Sequence, residues 1–361
     1  MKFTINTEKF KSMMAKAVRG VGDNKLIPIT QLMGIKKTGD CLMLTTTDAT
    51  NYLYIYEHEV EDTEDMSVTV YAEQFAKLIS KMTTENVSLE VKDGTLEVIG
   101  NGHYTLELPL DENGALIDFP DPANEYTSKV YKSKKTINLS VIKTILDTVK
   151  PSLATTLDVP VLTAYYVGNS IIATNKYKIA SMDLDLLGEK MLISSAMFDL
   201  FDVITDESIK VLIDDDVVVF ATTNCVIYGK KFNGADDYPV DAINELIHRD
   251  FKSICKVKKS DILNTLDRMS LFISRYDYDT ILLSFTKDGL SITNKSTKSK
   301  ELVPYNDDSE HDEFICAIDI NMLVTQIKAY ASDMIEIHYG EDMGIKLVDN
   351  SIIQLIALKD M

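Results

Sequence analysis

The chain has 361 residues, with 56 acidic against 37 basic side chains and a formal net charge of -19. Mean hydropathy is -0.03 and no apolar run approaches the ~20 residues of a membrane span. The opening Met1–Asn6 reads as a strand rather than a charged and then apolar leader, so no secretory signal is expected. Cys41, Cys225, Cys255 and Cys316 fall in no metal-ligand spacing and suit free thiols in a reducing cytoplasm. Length alone allows two or three domains.

Phe3-Thr4-Ile5 leads into a helix beginning near Thr7. Strand patterns follow at 30–36, 41–46 and 52–60, divided by turn residues at Thr38-Gly39-Asp40 and 47–50. Val68-Thr69-Val70 leads into a second helix near Glu73. Strands at 87–92, 95–99 and 104–108 come next, with Asp93-Gly94 and Gly100-Asn101-Gly102 as hairpin turns. Residues 111–135 read as a linker containing Asp118-Phe119-Pro120-Asp121-Pro122.

The order then restarts. Ile137-Asn138-Leu139 enters a helix near Ser140, followed by strands at 161–167, 171–174 and 179–184. Leu192-Ile193 enters a fourth helix near Ser195, followed by 209–213, 217–221 and 226–232. Asp214-Asp215-Asp216 reads as a solvated hairpin turn. A second linker, 233–250, holds Asp237-Tyr238-Pro239. In the third pass Cys255-Lys256-Val257 enters a helix near Ser260, with strands at 281–286, 290–294 and 301–305. An acidic loop at 306–313 precedes Ala317-Ile318, a sixth helix near Ile320, and strands at 334–339, 344–348 and 352–357.

A strand-to-helix unit thus recurs six times at a spacing of roughly 55–67 residues, as three modules of two helices and about eight strands. The expected fold is α+β, with helices on antiparallel sheets, in domains 1–125, 126–248 and 249–361. The Asn-X-Ser triplets at Asn86, Asn138 and Asn294 are chance matches without a secretory route.

The apolar stripes fix each helix's wet face. Helix one buries Phe10, Met13, Met14, Ala17 and Val21, which puts Lys16 and Arg19 opposite at 100° per residue. Helix two turns Lys77 and Lys81 outward. Helix three presents Lys143 and Lys150, helix five Arg268, and helix six Lys328. Helix four alone shows acids, Asp199 and Asp202. Lysine on a wet face is ordinary for one helix. Four net-basic equivalents out of six, in a chain this acidic, point to a phosphate-facing surface.

The chain resembles the bacterial sliding clamp, the beta subunit of DNA polymerase III, along essentially its whole length. The resemblance rests on Met1-Lys2-Phe3-Thr4-Ile5 with Ile27-Pro28-Ile29, on Asp118-Phe119-Pro120, and on Tyr238-Pro239 where the family has Phe-Pro. It rests also on 173–180, Ala-Thr-Asn-Lys-Tyr-Lys-Ile-Ala, against the family's Ala-Thr-Asp-Gly-His-Arg-Leu-Ala. The resemblance implies a head-to-tail homodimeric ring with twelve helices lining a channel. At ~8–10 Å between helix axes the channel is ~35 Å across, wide enough for loose, sequence-independent contact with duplex DNA. It implies a non-catalytic, cytoplasmic processivity factor without cofactor or metal. The implied partners are double-stranded DNA, the polymerase III alpha subunit, the clamp loader, other clamp-binding-motif proteins and a second copy, with no membrane.

DNA-facing candidates are Lys16, Arg19, Lys25, Lys77, Lys81, Lys143, Lys150 and Arg268. The family's peptide pocket would use Thr174, Tyr177, Lys178, Ile179, Pro239, Met322, Leu355, Ile356, Ala357 and Leu358. This chain departs there, with Lys176-Tyr177-Lys178 for Gly-His-Arg and an ending Ala357-Leu358-Lys359-Asp360-Met361 for Met-Pro-Met-Arg-Leu. The dimer contact would pair Tyr104 and Leu106 with Phe272 and Ile273. The family's paired tyrosines after helix three are replaced by Val159-Pro160-Val161, so Lys25 becomes the loop candidate.

Two other readings are distinguishable. A clamp-like interaction protein that binds polymerase peptides without encircling DNA would be a monomer. A carboxylate-metal enzyme built on Asp214–Asp216 or Asp236-Asp237 would bind divalent ions, yet these acids lack a His or Glu at ligand spacing.

Overall fold

The computed structural model describes residues 1–58, 60, 64–273, 279–294 and 296–360. Lys295 of the third Asn-X-Ser triplet and the terminal Met361 lie outside that set. The helices are α1 (Thr7–Ala17), α2 (Ala72–Ser80), α3 (Asn124–Lys132), α4 (Leu139–Thr148), α5 (Ser195–Asp199), α6 (Val240–Ile247), α7 (Lys259–Ser270) and α8 (Ile320–Ala329). Six begin within a residue of the expected starts. Asn6 and Asp319 explain two of those starts, each accepting two backbone N–H groups of the first turn of α1 and α8.

The two stretches read as linkers are helical, α3 and α6. Pro122 and Pro239 stand just before them. A proline there marks a helix start as readily as a break, and the apolar stripes of eight or nine residues are short. The fourth expected helix is only five residues long and continues as a 3-10 turn, Leu200–Val203. Its Phe198 and Phe201 pack edge-on, and Phe201 meets Phe220 at 4.9 Å.

Pairing order makes the internal repeat explicit. In the first pass the strands Lys2–Asn6, Asn86–Lys92, Thr95–Ile99 and His103–Glu107 lie side by side in that order. Met66–Tyr71, Leu32–Thr38, Cys41–Thr47 and Asn51–Glu57 do likewise. Numbered within a pass, the orders are 1-6-7-8 and 5-2-3-4, and both recur in the second and third passes. At two joints the fourth strand of one pass pairs antiparallel with the eighth of the next: Asn51–Glu57 with Cys225–Lys230, and Lys178–Met182 with Ile352–Ala357. Two eight-stranded sheets result.

Continuous ladders also explain why the chain packs as two compact units, Met1–Val141 with Ala196–Lys231, and Ile142–Ser195 with Phe232–Met361. Each unit holds one eight-stranded and one four-stranded sheet. Element order along the chain repeats three times, while compactness follows the ladders.

In the first unit the eight-stranded sheet is covered on both faces. Thr46 Oγ1 donates to Ala17 O at 2.6 Å, under α1, with Leu53 on that side. Its neighbour Tyr54 points the other way, and its hydroxyl accepts from Ala123 N at 3.2 Å, under α3. Tyr54, Val130, Val217, Val219, Ala221, Val226 and Tyr228 form that second cluster. In the second unit Leu355 and Ile356 likewise point into two different cores.

Candidate functional site

The wet faces of the helices come first. In the first unit Lys25, Lys77 and Lys81 are exposed and Lys16 half-exposed. Lys25 stands on a turn fixed by Asn24, whose Oδ1 accepts from Leu26 N and whose backbone O accepts from Ile27 N. Arg19 also reaches solvent, but its Nη2 meets Asp202 Oδ2 at 3.0 Å. Lys77 is ion-paired with Glu73, one helical turn back. In the second unit Lys143 is exposed and Lys150 half-buried. Arg268 grips both oxygens of Glu301, with Nη2 at 2.6 Å and Nε at 2.9 Å.

These pairs correct the reading of the wet faces. A helical wheel counts only a helix's own neighbours, and the carboxylates of Asp202 and Glu301 arrive from segments 183 and 33 residues away. The acidic wet face of α5 is therefore partly neutralised by Arg19. Lys16, Lys25, Lys81 and Lys143 make no ion pair among the described residues.

Strand edges come second. His103–Glu107 ends the four-stranded sheet of the first unit, with Tyr104 37% exposed and Leu106 half-buried. Lys300–Val303 ends the four-stranded sheet of the second unit, with Leu302 51% exposed. The bidentate Arg268–Glu301 contact anchors this edge strand to α7. Phe272 is exposed, whereas Ile273 packs on the core. Lys300, Leu302 and Leu271 were missed by sequence reasoning. Only the pairing order shows that residues 300–303 form an edge.

The peptide-pocket residues lie in the second unit. Asn175 Oδ1 accepts from Tyr177 N and Lys178 N, and Lys176 takes φ +78°, which turns Tyr177 out to solvent. Ala357 N donates to Tyr177 O at 2.9 Å, joining this turn to the last strand. Ile179 lies opposite Leu355. Both pack with Tyr166, Tyr238, Ile243 and Ile247, and the rings of Tyr166 and Tyr238 stack at 5.4 Å. Pro239 is exposed at the start of α6.

Other members of the set point elsewhere. Lys178 runs inward, its Nζ donating to Pro151 O at 2.6 Å, and burial holds its pKa below the usual lysine range. Thr174 is buried, its hydroxyl donating to Lys178 O. Ile356 belongs to the opposite core, on which Met322 and Leu358 also pack. Strand alternation forces that split, because neighbours such as Leu355 and Ile356 face opposite sides.

The apolar wall of α6, Ile243 and Ile247, was missed because residues 233–250 were read as a linker. The i, i+4 isoleucines after Pro239 were the available signal. Lys346 fixes that helix's end, its Nζ donating to Ile247 O and Arg249 O. Lys359 pairs with Asp319 at 2.8 Å and ties the chain's end beside the start of α8. Asp214 N donates to Val217 O, closing the expected hairpin turn over the triple aspartate.

Residues 1–114 match the family described as DNA polymerase III beta subunit, N-terminal domain. A curated relative, the beta sliding clamp of Bacillus subtilis strain 168, is 21% identical over 385 residues, covering 99% of this chain and 98% of that protein. A solved DNA polymerase III beta chain from Streptococcus pneumoniae TIGR4 superposes with a TM-score of 0.85 at 17% identity, covering 100% of both chains. The DNA polymerase sliding clamp structure from Bacillus subtilis gives 0.84 at 19% identity, covering 100% of this chain and 99% of that one. The match over residues 1–114, the full-length relative and the shared fold together assign this chain to the bacterial DNA polymerase III beta subunit family, the beta sliding clamps.

Proposed function

We propose that two copies close head to tail into a ring that encircles duplex DNA and tethers the replicative polymerase, so that the protein acts as a processivity factor rather than an enzyme. The observation that carries this reading is the joint rule. Fourth strands pair with eighth strands twice within the chain, and one strand of each kind is left over: Lys300–Val303 and His103–Glu107. Exposed edges of this sort recruit another strand. Joining the leftover strands between two copies satisfies both, and the same operation applied twice closes the assembly.

The register follows as well. At both internal joints the fifth residue of the fourth strand faces the first of the eighth: Ile55 faces Cys225, and Met182 faces Ile352. Carried to the third joint, this sets Pro304 against His103, Leu302 against Thr105, and Lys300 against Glu107. The last pair is of opposite charge. Domains 1–125, 126–248 and 249–361 are then equivalent segments of the ring.

Lys16, Lys25, Lys81 and Lys143 supply the loose phosphate attraction, and the ring's topology supplies retention. The groove beside α6, with Tyr177, Ile179, Pro239, Ile243 and Leu355, takes short apolar motifs of the polymerase alpha subunit, the loader and other partners, in the cytoplasm. Sedimentation at micromolar concentration gives a mass near twice 40.5 kDa. Once loaded, the protein stays on closed circular DNA and runs off linear ends. A monomer, or equal release from both DNAs at moderate salt, refutes the reading.

A further inference from the structure

The first unit carries a second basic surface, on the far side of its eight-stranded sheet from α1. From Tyr126 through Leu146 the chain has five lysines and no acidic residue, although acids outnumber bases overall. Lys129, Lys132 and Lys134, on and just after α3, are exposed. None has a carboxylate within ion-pair distance among the described residues. On the inner helices, by contrast, Arg19, Lys77 and Arg268 are each tied to an acid. An uncompensated cluster of three lysines in so acidic a chain holds its positive potential for an external anion.

The strip is also aromatic. Tyr131 is 37% exposed, and its hydroxyl donates to Thr222 O at 2.8 Å, which fixes the ring before anything binds. Tyr126 packs against Tyr228, which meets Tyr52, and Lys129 Nζ lies 5.0 Å from the Tyr126 ring centroid. Tyr54 and Leu53 are sequence neighbours in one strand, so α3 and α1 must lie on opposite faces. The lysines of α3 therefore cannot share a surface with Lys16.

We infer that α3 and the residues after it form a track for single-stranded nucleic acid, with Lys129, Lys132 and Lys134 on phosphates and the Tyr131 ring under a base. The strip is one helix wide, ~10 Å, which suits one strand better than the two backbones of a duplex. A pre-set ring flanked by lysines is the combination that binds bases through their faces without reading sequence. An acidic peptide would use the lysines and leave the ring idle.

The test is fluorescence anisotropy of labelled oligo-dT, about twenty nucleotides long, with the full chain. Three neutralised phosphates give a log–log salt slope of about -2, so binding weakens on the order of 20-fold between 50 and 200 mM salt. K129E/K132E/K134E abolishes that binding, and Y131A lowers it about five-fold or more. Both variants keep their thermal midpoint and their retention on circular duplex DNA. K16E/K81E/K143E does the reverse, losing retention while keeping oligo-dT. Unchanged oligo-dT binding by the α3 triple variant overturns the inference and leaves the ring untouched. So does an unaffected Y131A in which poly-glutamate competes as well as oligo-dT, since that result marks an acidic-peptide site.

Discussion

The register derived for the joint between copies can be tested by exchanging charges. Lys300 and Glu107 sit at the ends of two exposed edge strands, and the repeated register sets them directly opposite on one face of the joined sheet. Directly opposed unlike charges contribute roughly 0.2–1 kcal/mol, and like charges destabilise by a similar amount. Lys300→Glu therefore shifts each joint by about 0.4–2 kcal/mol. A closed ring has two such joints, so its dissociation constant rises roughly four-fold at the least and several hundred-fold at the most. Glu107→Lys does the same by opposing two lysines. A mixture of the two variants behaves differently. In a mixed ring the two substitutions meet at one joint with their charges exchanged, the other joint keeps Lys300 with Glu107, and both are attractive. Sedimentation velocity across a dilution series should show each variant dissociating early and the equimolar mixture recovering the wild-type profile. Two weakened variants whose mixture stays weak would refute the register. Variants as tight as the wild type would refute the joint itself.

Other consequences are more local. Lys25→Glu, Lys81→Glu and Lys143→Glu should each flatten the salt dependence of duplex binding by about 0.9, whereas Arg19→Ala and Arg268→Ala leave the slope unchanged because Asp202 and Glu301 already hold those charges. Gly229→Ala would place a Cβ 2.4 Å from Asn51 Oδ1 and 2.9 Å from Met197 Sδ in a buried joint. Overpacking of that kind costs about 1–3 kcal/mol and should appear as a lowered calorimetric midpoint. Tyr177→Ala removes an exposed ring from the pocket rim and should weaken binding of a polymerase-derived peptide several-fold with no change in melting, as isothermal titration would read. Burial pushes the Cys225 and Cys316 thiols up to about 12 from an ordinary 9.0. The folded state thus favours the neutral thiol, its stability is complete below pH 9, and it is lost as pH rises from there through about 12. Urea midpoints that do not fall between pH 8.5 and 10.5 would contradict this.

What the sequence disclosed and what it withheld divide along a physical line. Local periodicity placed six helices and most strands, because a helix or hairpin declares itself within a dozen residues. Ladders between strands far apart in sequence leave no such trace. Nothing in Asn51–Glu57 announces Cys225–Lys230 as its partner, and that pairing is what packs three successive passes into two compact units. The same gap explains the misjudged cations. Arg19 and Arg268 were placed correctly on wet faces, yet their charges are held by Asp202 and Glu301, which the fold delivers from elsewhere. It also explains the pocket. The resemblance supplied Tyr177, Ile179 and Leu355, but the wall they face is α6, which lay inside a stretch dismissed for its proline and short apolar stripe. Adjacent residues such as Leu355 and Ile356 cannot line one surface, so a motif carried over as a run of positions must lose alternate members once the strand is drawn. Residues found by periodicity thus keep their faces, and those found by adjacency alone do not. By that criterion Lys16, Lys81 and Lys143 are the strongest of the duplex-facing set, and the α6 isoleucines outrank Ile356 in the pocket.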